Sequence, residues 1–237
     1  IGGELTTPIE EAAAMRQVYG WQVQAFEEKP KVKDIAERFD FPLIYHLFKM
    51  EHHGIKLDTS VLKKMSKELG DKHAELEQQM YKLAGEEFNI GSPAQLSEIL
   101  FTKLQLPTAG IKKGKTGYST GQKELDKLRG QHPIIELIEQ TRELSKLKNT
   151  YVDTLPEQVD ENSRLHTTFN QDVAATGRLS STSPNLQNIP IRTEAGRKVR
   201  DAFVPDEGKV FVSADYSQFE LRLAAVLADD KELINDF

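Results

Sequence analysis

Apolar residues recur through the middle of the chain with the period of a long helix. Between Asp58 and Gly85, the residues Leu62, Met65, Leu69, His73, Leu76, Met80 and Leu83 are spaced by 3, 4, 4, 3, 4 and 3 positions. This near-heptad stripe predicts a long helix packed lengthwise on a partner. Asp58, Thr59 or Ser60 can cap its start and Gly85 can end it. A comparable stripe, Ile134, Leu137, Thr141, Leu144 and Tyr151, opens at Pro133 and runs to about Leu155, predicting the partner helix. His73 lies on the apolar stripe and is read as a packed histidine rather than a ligand.

Upstream, residues 8–28 read as a helix opened by Pro8, with Glu10 and Glu11 in the first turn, where the helix dipole favours anions. A charged connector from Glu27 to Lys33 follows. A helical stretch over roughly 41–53 then stops at Gly54. Between the two long helices, Ser92-Pro93 starts one short helix and Thr120 is the candidate start of another. They flank Ile111–Thr120, IKKGKTGYST, which has three lysines, two glycines and no hydrophobic period. It is expected to be an exposed basic loop at the far end of a helical hairpin. After Pro156 the pattern changes. Leu165, Thr167 and Phe169 alternate with His166, Thr168 and Asn170, as in a strand. A polar, turn-rich stretch covers 176–190, and Val210–Ala214 reads as a buried strand ending at Asp215. Ser217 begins a helix with apolar positions Phe219, Leu223, Val226 and Leu227. A boundary near 157–164 thus separates a helical part from the start of an α+β part.

Composition narrows the function classes. A chain of 237 residues suggests one large domain or two small ones. It has no cysteine, which excludes disulfide scaffolds, zinc ribbons and thiol nucleophiles. No apolar run approaches the ~20 residues of a membrane-spanning helix, and no membrane partner is expected. Ile1-Gly2-Gly3 shows no secretory signal pattern and no initiator methionine, so an excerpt or a processed product is expected. The net charge of −6 alone would argue against a nucleic-acid partner. Its distribution argues for one: residues 103–148 hold ten Lys/Arg against five Asp/Glu, and residues 176–200 hold five against one. Local field, rather than net charge, steers an anionic ligand. Solvated helix faces are the competing explanation.

Two segments carry chemistry: TGRLSSTSPNLQNIP over 176–190 with Arg192 soon after, and DYSQFELR over 215–222. Together they resemble the family A DNA polymerases, the bacterial DNA polymerase I group. EHHGIKLD over 51–58, the KTGYST loop and LSKLKNTY over 144–151 resemble the thumb of that family. The resemblance covers roughly residues 41–237 in unbroken order. It implies an α+β fold with a long-helix thumb arm followed by a partial polymerase palm of antiparallel strands with helices. Residues 1–40 would be the end of an exonuclease-like domain or a connector, 41–160 the thumb, and 161–237 the start of the palm with the first catalytic motif. It further implies a cytoplasmic setting in a bacterium or virus, with an organelle as the alternative.

An aspartate between a buried strand and a helix start is held rigidly, a common place for a metal ligand. Nucleotidyl transfer consists mostly of positioning and charge neutralisation, supplied in this family by two Mg²⁺ ions. The resemblance makes Asp215 one of two essential carboxylates, with the Tyr216 carbonyl as a further oxygen ligand; a plain dipole-stabilising aspartate is the alternative. In that family the glutamate matching Glu220 sits beneath the incoming sugar and excludes a 2′-hydroxyl, which the resemblance implies for Glu220; a solvated helix glutamate is the alternative. Ser217, Gln218 and Phe219 belong to the same nucleotide-binding segment, and Arg192 to substrate or backbone contacts. Phe219 stands where isoleucine is usual and Val226 where histidine is common. The hypothesis that the larger ring changes sugar selectivity or fidelity is tested by comparing ribonucleotide incorporation by Phe219→Ile and its parent in a complete enzyme, where equal rates would remove it.

Arg178 matches an arginine that donates to minor-groove acceptors present in every base pair. Asn185, Gln187 and Asn188 match primer–template contacts, with a local Asx turn as the alternative for Asn185. Lys112, Lys113 and Lys115 at the arm's tip, and Lys146 and Lys148 along its second helix, would meet duplex phosphates or remain ordinary solvated lysines.

The implied partners are primer–template DNA, dNTP and a complementary C-terminal polymerase fragment. That fragment would carry the fingers helix and a second carboxylate motif, neither of which is found in this sequence. The chain is therefore expected to be one portion of a split, interrupted or excerpted enzyme, inactive by itself. A non-catalytic primer–template clamp is the second reading; a metal nuclease using Asp215 and Glu220 is the third and weakest. No proofreading carboxylates are identifiable. The retained DYSQFELR favours the polymerase, since a clamp gains nothing from Asp215.

Overall fold

The computed structural model describes residues 7–114, 117–191 and 193–237. The chain divides into two compact units, residues 1–203 and residues 204–237.

In the larger unit, α1 spans Pro8–Glu28. Thr7 and Glu10 cap it reciprocally: the Glu10 amide donates to Thr7 Oγ1 at 3.3 Å, and the Thr7 amide donates to Glu10 Oε2 at 3.1 Å. Helix α2, Pro30–Ile35, leads through a π-helical turn, Ala36–Asp40, into α3, Phe41–His53. Gly54 ends α3 with φ of +61°, and a Cβ there would lie 2.5 Å from the Leu165 carbonyl oxygen. Glycine is needed on both counts, so that the short strand β1, Ile55–Lys56, can lie antiparallel to Arg164–Leu165.

The long helix predicted from the first stripe is α4, Thr59–Ala84. Asp58 is its cap, accepting from the Ser60 amide at 3.0 Å, and Gly85 ends it in the left-handed conformation. Ser92 caps α5, Pro93–Ser97, which continues as a π-helical stretch, Glu98–Lys103. A β-hairpin follows, with β2, Lys113–Gly114, paired to β3, Gly117–Tyr118. Helix α6, Gln122–Leu128, begins after Gly121 rather than at Thr120. The predicted partner is α7, Ile134–Leu147, prolonged by a π turn, Lys148–Val152, and a 3₁₀ turn, Leu155–Glu157.

Helices α4 and α7 run antiparallel. The C-terminal half of α4 (Leu76, Met80, Ala84) packs with Ile134, Ile135 and Ile138, together with Leu96, Leu100, Leu125 and Leu128. Its N-terminal half (Leu62, Met65, Leu69) packs with Leu147, Tyr151 and Val152, together with Leu57, Leu165 and Val199. His73 is half-buried, its Nδ1 3.6 Å from Glu77 Oε2. Each fully buried aliphatic side chain contributes about 1.5–3 kcal/mol, so these two clusters hold the arm together.

The alternation at 165–169 yields two short strands in different sheets instead of one. Strand β4, Arg164–Leu165, pairs with β1, whereas β5, Thr168–Asn170, pairs with β6, Ser180–Thr182. The switch occurs at buried Thr167, whose hydroxyl lies 2.6 Å from Ser181 Oγ; the two hydroxyls together meet the Thr182 and Pro184 carbonyls. Helix α8, Glu194–Asp201, closes the unit and is capped by Thr193.

The smaller unit holds α9, Phe219–Ala228, and α10, Lys231–Asp236. Val210–Ala214 forms no strand, and Val210 and Val212 are 81% and 87% exposed. A strand needs a neighbour to complete its backbone hydrogen bonds, and residues 204–237 supply none. The helix expected at Ser217 begins at Phe219, with Gln218 in the left-handed region as its cap residue. Its apolar positions Phe219, Leu223, Val226 and Leu227 are exposed rather than buried; Ala225 is the buried residue of α9.

Candidate functional site

The stretch read as a basic loop is ordered as a hairpin at the far end of the arm. Lys113 opposes Tyr118, Gly114 opposes Gly117, and the Ser119 amide donates to the Lys112 carbonyl at 2.8 Å. Ile111 and Thr120, the ends of the stretch, are buried, while Lys112 and Lys113 are exposed. The Lys113 ammonium lies 5.3 Å from the centre of the Tyr118 ring, and that ring packs against Phe101 at 5.1 Å. Alternation of polar and small residues over so short a run gives no period, which is why the pairing is invisible in the sequence. Lys115 lies outside the described residues.

Along α7, Lys146 is exposed and borders an open cleft of about 550 Å³ with Arg142 and Glu143. Lys148 is engaged within the arm, donating to Asp153 Oδ2 at 2.6 Å and to Ser66 Oγ at 3.0 Å. Burial pushes the Asp153 carboxyl up, but the hydrogen bonds from Lys148 and Ser66 and the Lys148 charge together hold it below its ordinary value. This pairing spends much of the Lys148 charge that a phosphate contact would use.

The segment 176–190 forms β6 and the loops on either side of it. Gly177, with φ of +79°, turns the chain into Arg178, which is exposed. Asn185 accepts from the Gln187 amide at 3.0 Å, the Asx turn weighed for this position. The side chains of Asn185, Gln187 and Asn188 all remain exposed. The arm's base holds this loop: the Tyr151 hydroxyl donates to the Asn188 carbonyl at 2.6 Å. Burial raises the Tyr151 hydroxyl's pKa, so it stays a donor. Gln187 and Asn188 also border a cleft of about 340 Å³ with Thr193 and Arg200, whose guanidinium donates to the Ile189 carbonyl at 3.3 Å. Arg192 lies outside the described residues.

In the smaller unit, Asp215–Gln218 is an exposed stretch that turns at Ser217–Gln218 into α9, whose first residues are the exposed Phe219 and Glu220. The Tyr216 and Phe219 rings pack 5.4 Å apart, and Arg222 Nε donates to the Ser217 carbonyl at 2.9 Å, so side chains on both flanks brace the turn. Glu220 occupies the first turn of α9, where the dipole favours a carboxylate. Asp215, Tyr216, Ser217, Gln218, Phe219 and Glu220 are thus brought onto one local element. Arg178, Asn185, Gln187 and Asn188 belong to the larger unit. Among the described residues no group of three or more Asp, Glu, His or Cys could hold a metal ion.

Sequence reading missed several positioning residues. Arg164 Nε donates to the His53 carbonyl at 2.6 Å, and His166 Nδ1 faces the Glu51 carbonyl at 2.7 Å while its Nε2 faces Asp160 Oδ2 at 3.2 Å. Glu51 Oε1 in turn accepts from the Phe169 amide at 2.6 Å. These contacts tie the end of α3 to the β5–β6 hairpin that carries Arg178. The contacts of Arg164 with His53, His166 with Glu51 and Phe169 with Glu51 join residues more than a hundred positions apart, and no sequence spacing signals them.

The family model for DNA polymerase family A matches residues 59–237. DNA polymerase I of Bacillus subtilis is 46% identical over 228 residues, covering 95% of this chain and 26% of that protein. DNA polymerase I of Synechocystis is 47% identical over 212 residues, covering 89% of this chain and 22% of the relative. The thermostable DNA polymerase I of Thermus caldophilus is 45% identical across 100% of this chain and 28% of its own length. The chain therefore spans about a quarter of these relatives. Among solved structures, the POL domain of Pol1 from M. smegmatis, in complex with DNA primer-template and dNTP, matches with a TM-score of 0.77 and 42% identity. That match covers 89% of this chain and 37% of the other. No helix among the described residues is long and apolar enough to cross a membrane. With its matched region reaching from the start of α4 to Phe237, and so taking in the arm and both motif segments, the chain belongs to DNA polymerase family A.

Proposed function

We propose that this chain is the primer–template-gripping and first-carboxylate portion of a DNA-templated DNA polymerase. Residues 41–160 would act as its thumb and 161–237 as the start of its palm, with 1–40 a connector or the end of an exonuclease-like domain. The observation that carries the reading is the exposed segment Asp215–Glu220, a turn running into the start of α9, which lies inside the region matched by the family model.

The chain's own residues divide the work. Lys112, Lys113 and Lys146 neutralise duplex phosphates without reading sequence. Arg178 donates to the minor-groove acceptors at the primer terminus, with Asn185, Gln187 and Asn188 fixing the primer–template register. Ser217, Gln218 and Phe219 border the incoming nucleotide, and Glu220 blocks a 2′-hydroxyl. The Asp215 carboxylate and the Tyr216 carbonyl are hard oxygen donors, the type a magnesium ion takes. They fit as part of a site and do not fill one, so a further carboxylate from outside these residues would complete it. A divalent cation held there by the Asp215 carboxylate and the Tyr216 carbonyl would supply charge neutralisation and Lewis acidity for nucleotidyl transfer.

The test is primer extension by the chain mixed with a polypeptide carrying the remaining family motifs. Extension by the mixture, absent from either piece and lost in Asp215→Ala, is expected. A mixture that binds duplex and never extends it would favour the non-catalytic clamp. Extension by this chain alone would overturn the requirement for a partner.

A further inference from the structure

We infer that Arg142 is a positioning residue for DNA binding, acting through the basic hairpin rather than on DNA itself; the inference rests on the reading of that hairpin as a phosphate-binding tip. The Arg142 guanidinium reaches from α7 to the foot of the hairpin. Its Nη1 donates to the Thr120 carbonyl at 2.5 Å, and its Nη2 to Thr120 Oγ1 at 3.3 Å. Thr120 is buried, and its carbonyl precedes α6, where no helical amide serves it. The planar fork of an arginine can meet both acceptors at once; a lysine ammonium can reach them only as a point charge.

The surroundings support a structural post rather than a phosphate contact. Arg142 is half-buried, and burial lowers its pKa from the ordinary arginine value. It forms the shared wall of two open clefts, one bordered by Lys146 and the other by Lys112. Among the described residues, buried Ile111, the Tyr118 ring against Phe101, and Gly117, where a Cβ would come within 2.8 Å of Ser97 Oγ, also anchor the hairpin. Arg142 adds a charged link from the hairpin to α7. By fixing Thr120 it fixes the strand that pairs with Lys113, and so the presentation of both exposed lysines.

The experiment measures affinity of the 237-residue chain for a labelled primer–template duplex across a salt series. The variants are Arg142→Gln, Arg142→Lys, Lys112→Ala with Lys113→Ala, and the combination with Arg142→Gln. Removing the two lysines should lower the slope of log affinity against log salt by about 2, which is about tenfold less loss between 50 and 200 mM salt. Arg142→Gln should weaken binding in the same direction, and the combination should be no weaker than the lysine pair alone. Arg142→Lys, which keeps the charge and loses the fork, should fail to restore binding. Hydrogen exchange at the Ser119 amide should accelerate in Arg142→Gln while core amides such as Ile135 hold, which separates loss of positioning from loss of fold. Independent, multiplying losses, rescue by lysine, or an unchanged Ser119 amide would each overturn the inference. Absence of duplex binding by the parent chain would instead remove the reading beneath it.

Discussion

The arm and the unit that bears Asp215 are built from similar local signals and end in opposite states. In the arm, Leu62, Met80, Leu96 and Ile138 are completely withdrawn from water, because α4 and α7 each bring an apolar stripe to the other. In the unit from Val204 to Phe237, α9 carries an equally apolar pattern, yet Leu223, Val226 and Leu227 are 44%, 66% and 85% exposed. Periodicity specifies which face of a helix is apolar. Burial requires a second surface, which the arm contains and the smaller unit does not.

The widest separation is expected from side-chain truncation. Met80→Ala should cost about 2–5 kcal/mol of unfolding free energy in urea titration, the usual range for a buried large-to-small change. Leu227→Ala should stay within about 0.5 kcal/mol in the same chain. Equal costs would break the contrast. Upon reconstitution with a complementary polypeptide, Leu227→Ala should become harmful to association while Met80→Ala keeps its effect on stability alone.

Next in size is Gly54→Ala, expected to lose more than about 1 kcal/mol, because it combines a positive φ with a close approach to Leu165. A β1–β4 pairing that survives unchanged would show the approach to be relieved elsewhere.

The smallest effect concerns pH. Hydrogen bonding of His166 to the Glu51 carbonyl, and then to the Asp160 carboxylate, raises its pKa above the ordinary 6.5. A raised folded-state value means stabilisation fully present below pH 6.5 and lost as pH rises through the folded value. Asp160 behaves oppositely. The Arg164 amide, and after it His166 and Asn162, hold its carboxyl below the ordinary 3.8, so its contribution is present above that pH and lost as pH falls through the lowered value. Between pH 6.5 and 8 the melting temperature of the parent should fall more than that of His166→Gln. Parallel curves would show that the His166 contacts with Glu51 and Asp160 contribute no pH-dependent stability.

What the sequence could and could not convey divides along the same line. Asp58, Gly85, Pro133 and Gly54 act within a few residues of themselves, and the helix limits they predict match the observed ones closely. The motif residues Asp215–Glu220 are also local, so their common element was readable. Pairings were not: Lys113 with Tyr118 occupies too few residues to show a period, and Arg142 with Thr120 or Tyr151 with Asn188 joins distant positions. Val210–Ala214 failed for the same reason in reverse, since an apolar run becomes a strand only beside another strand.

One measurement weighs the two regions against each other: single-turnover primer extension and duplex affinity, taken together on the chain mixed with a polypeptide that carries the remaining family motifs. Asp215→Ala should abolish extension and leave duplex affinity unchanged, whereas Lys112→Ala with Lys113→Ala should weaken affinity and leave the rate at saturating duplex intact. Undiminished extension by Asp215→Ala would contradict the assignment of that carboxylate and the polymerase mechanism built on it.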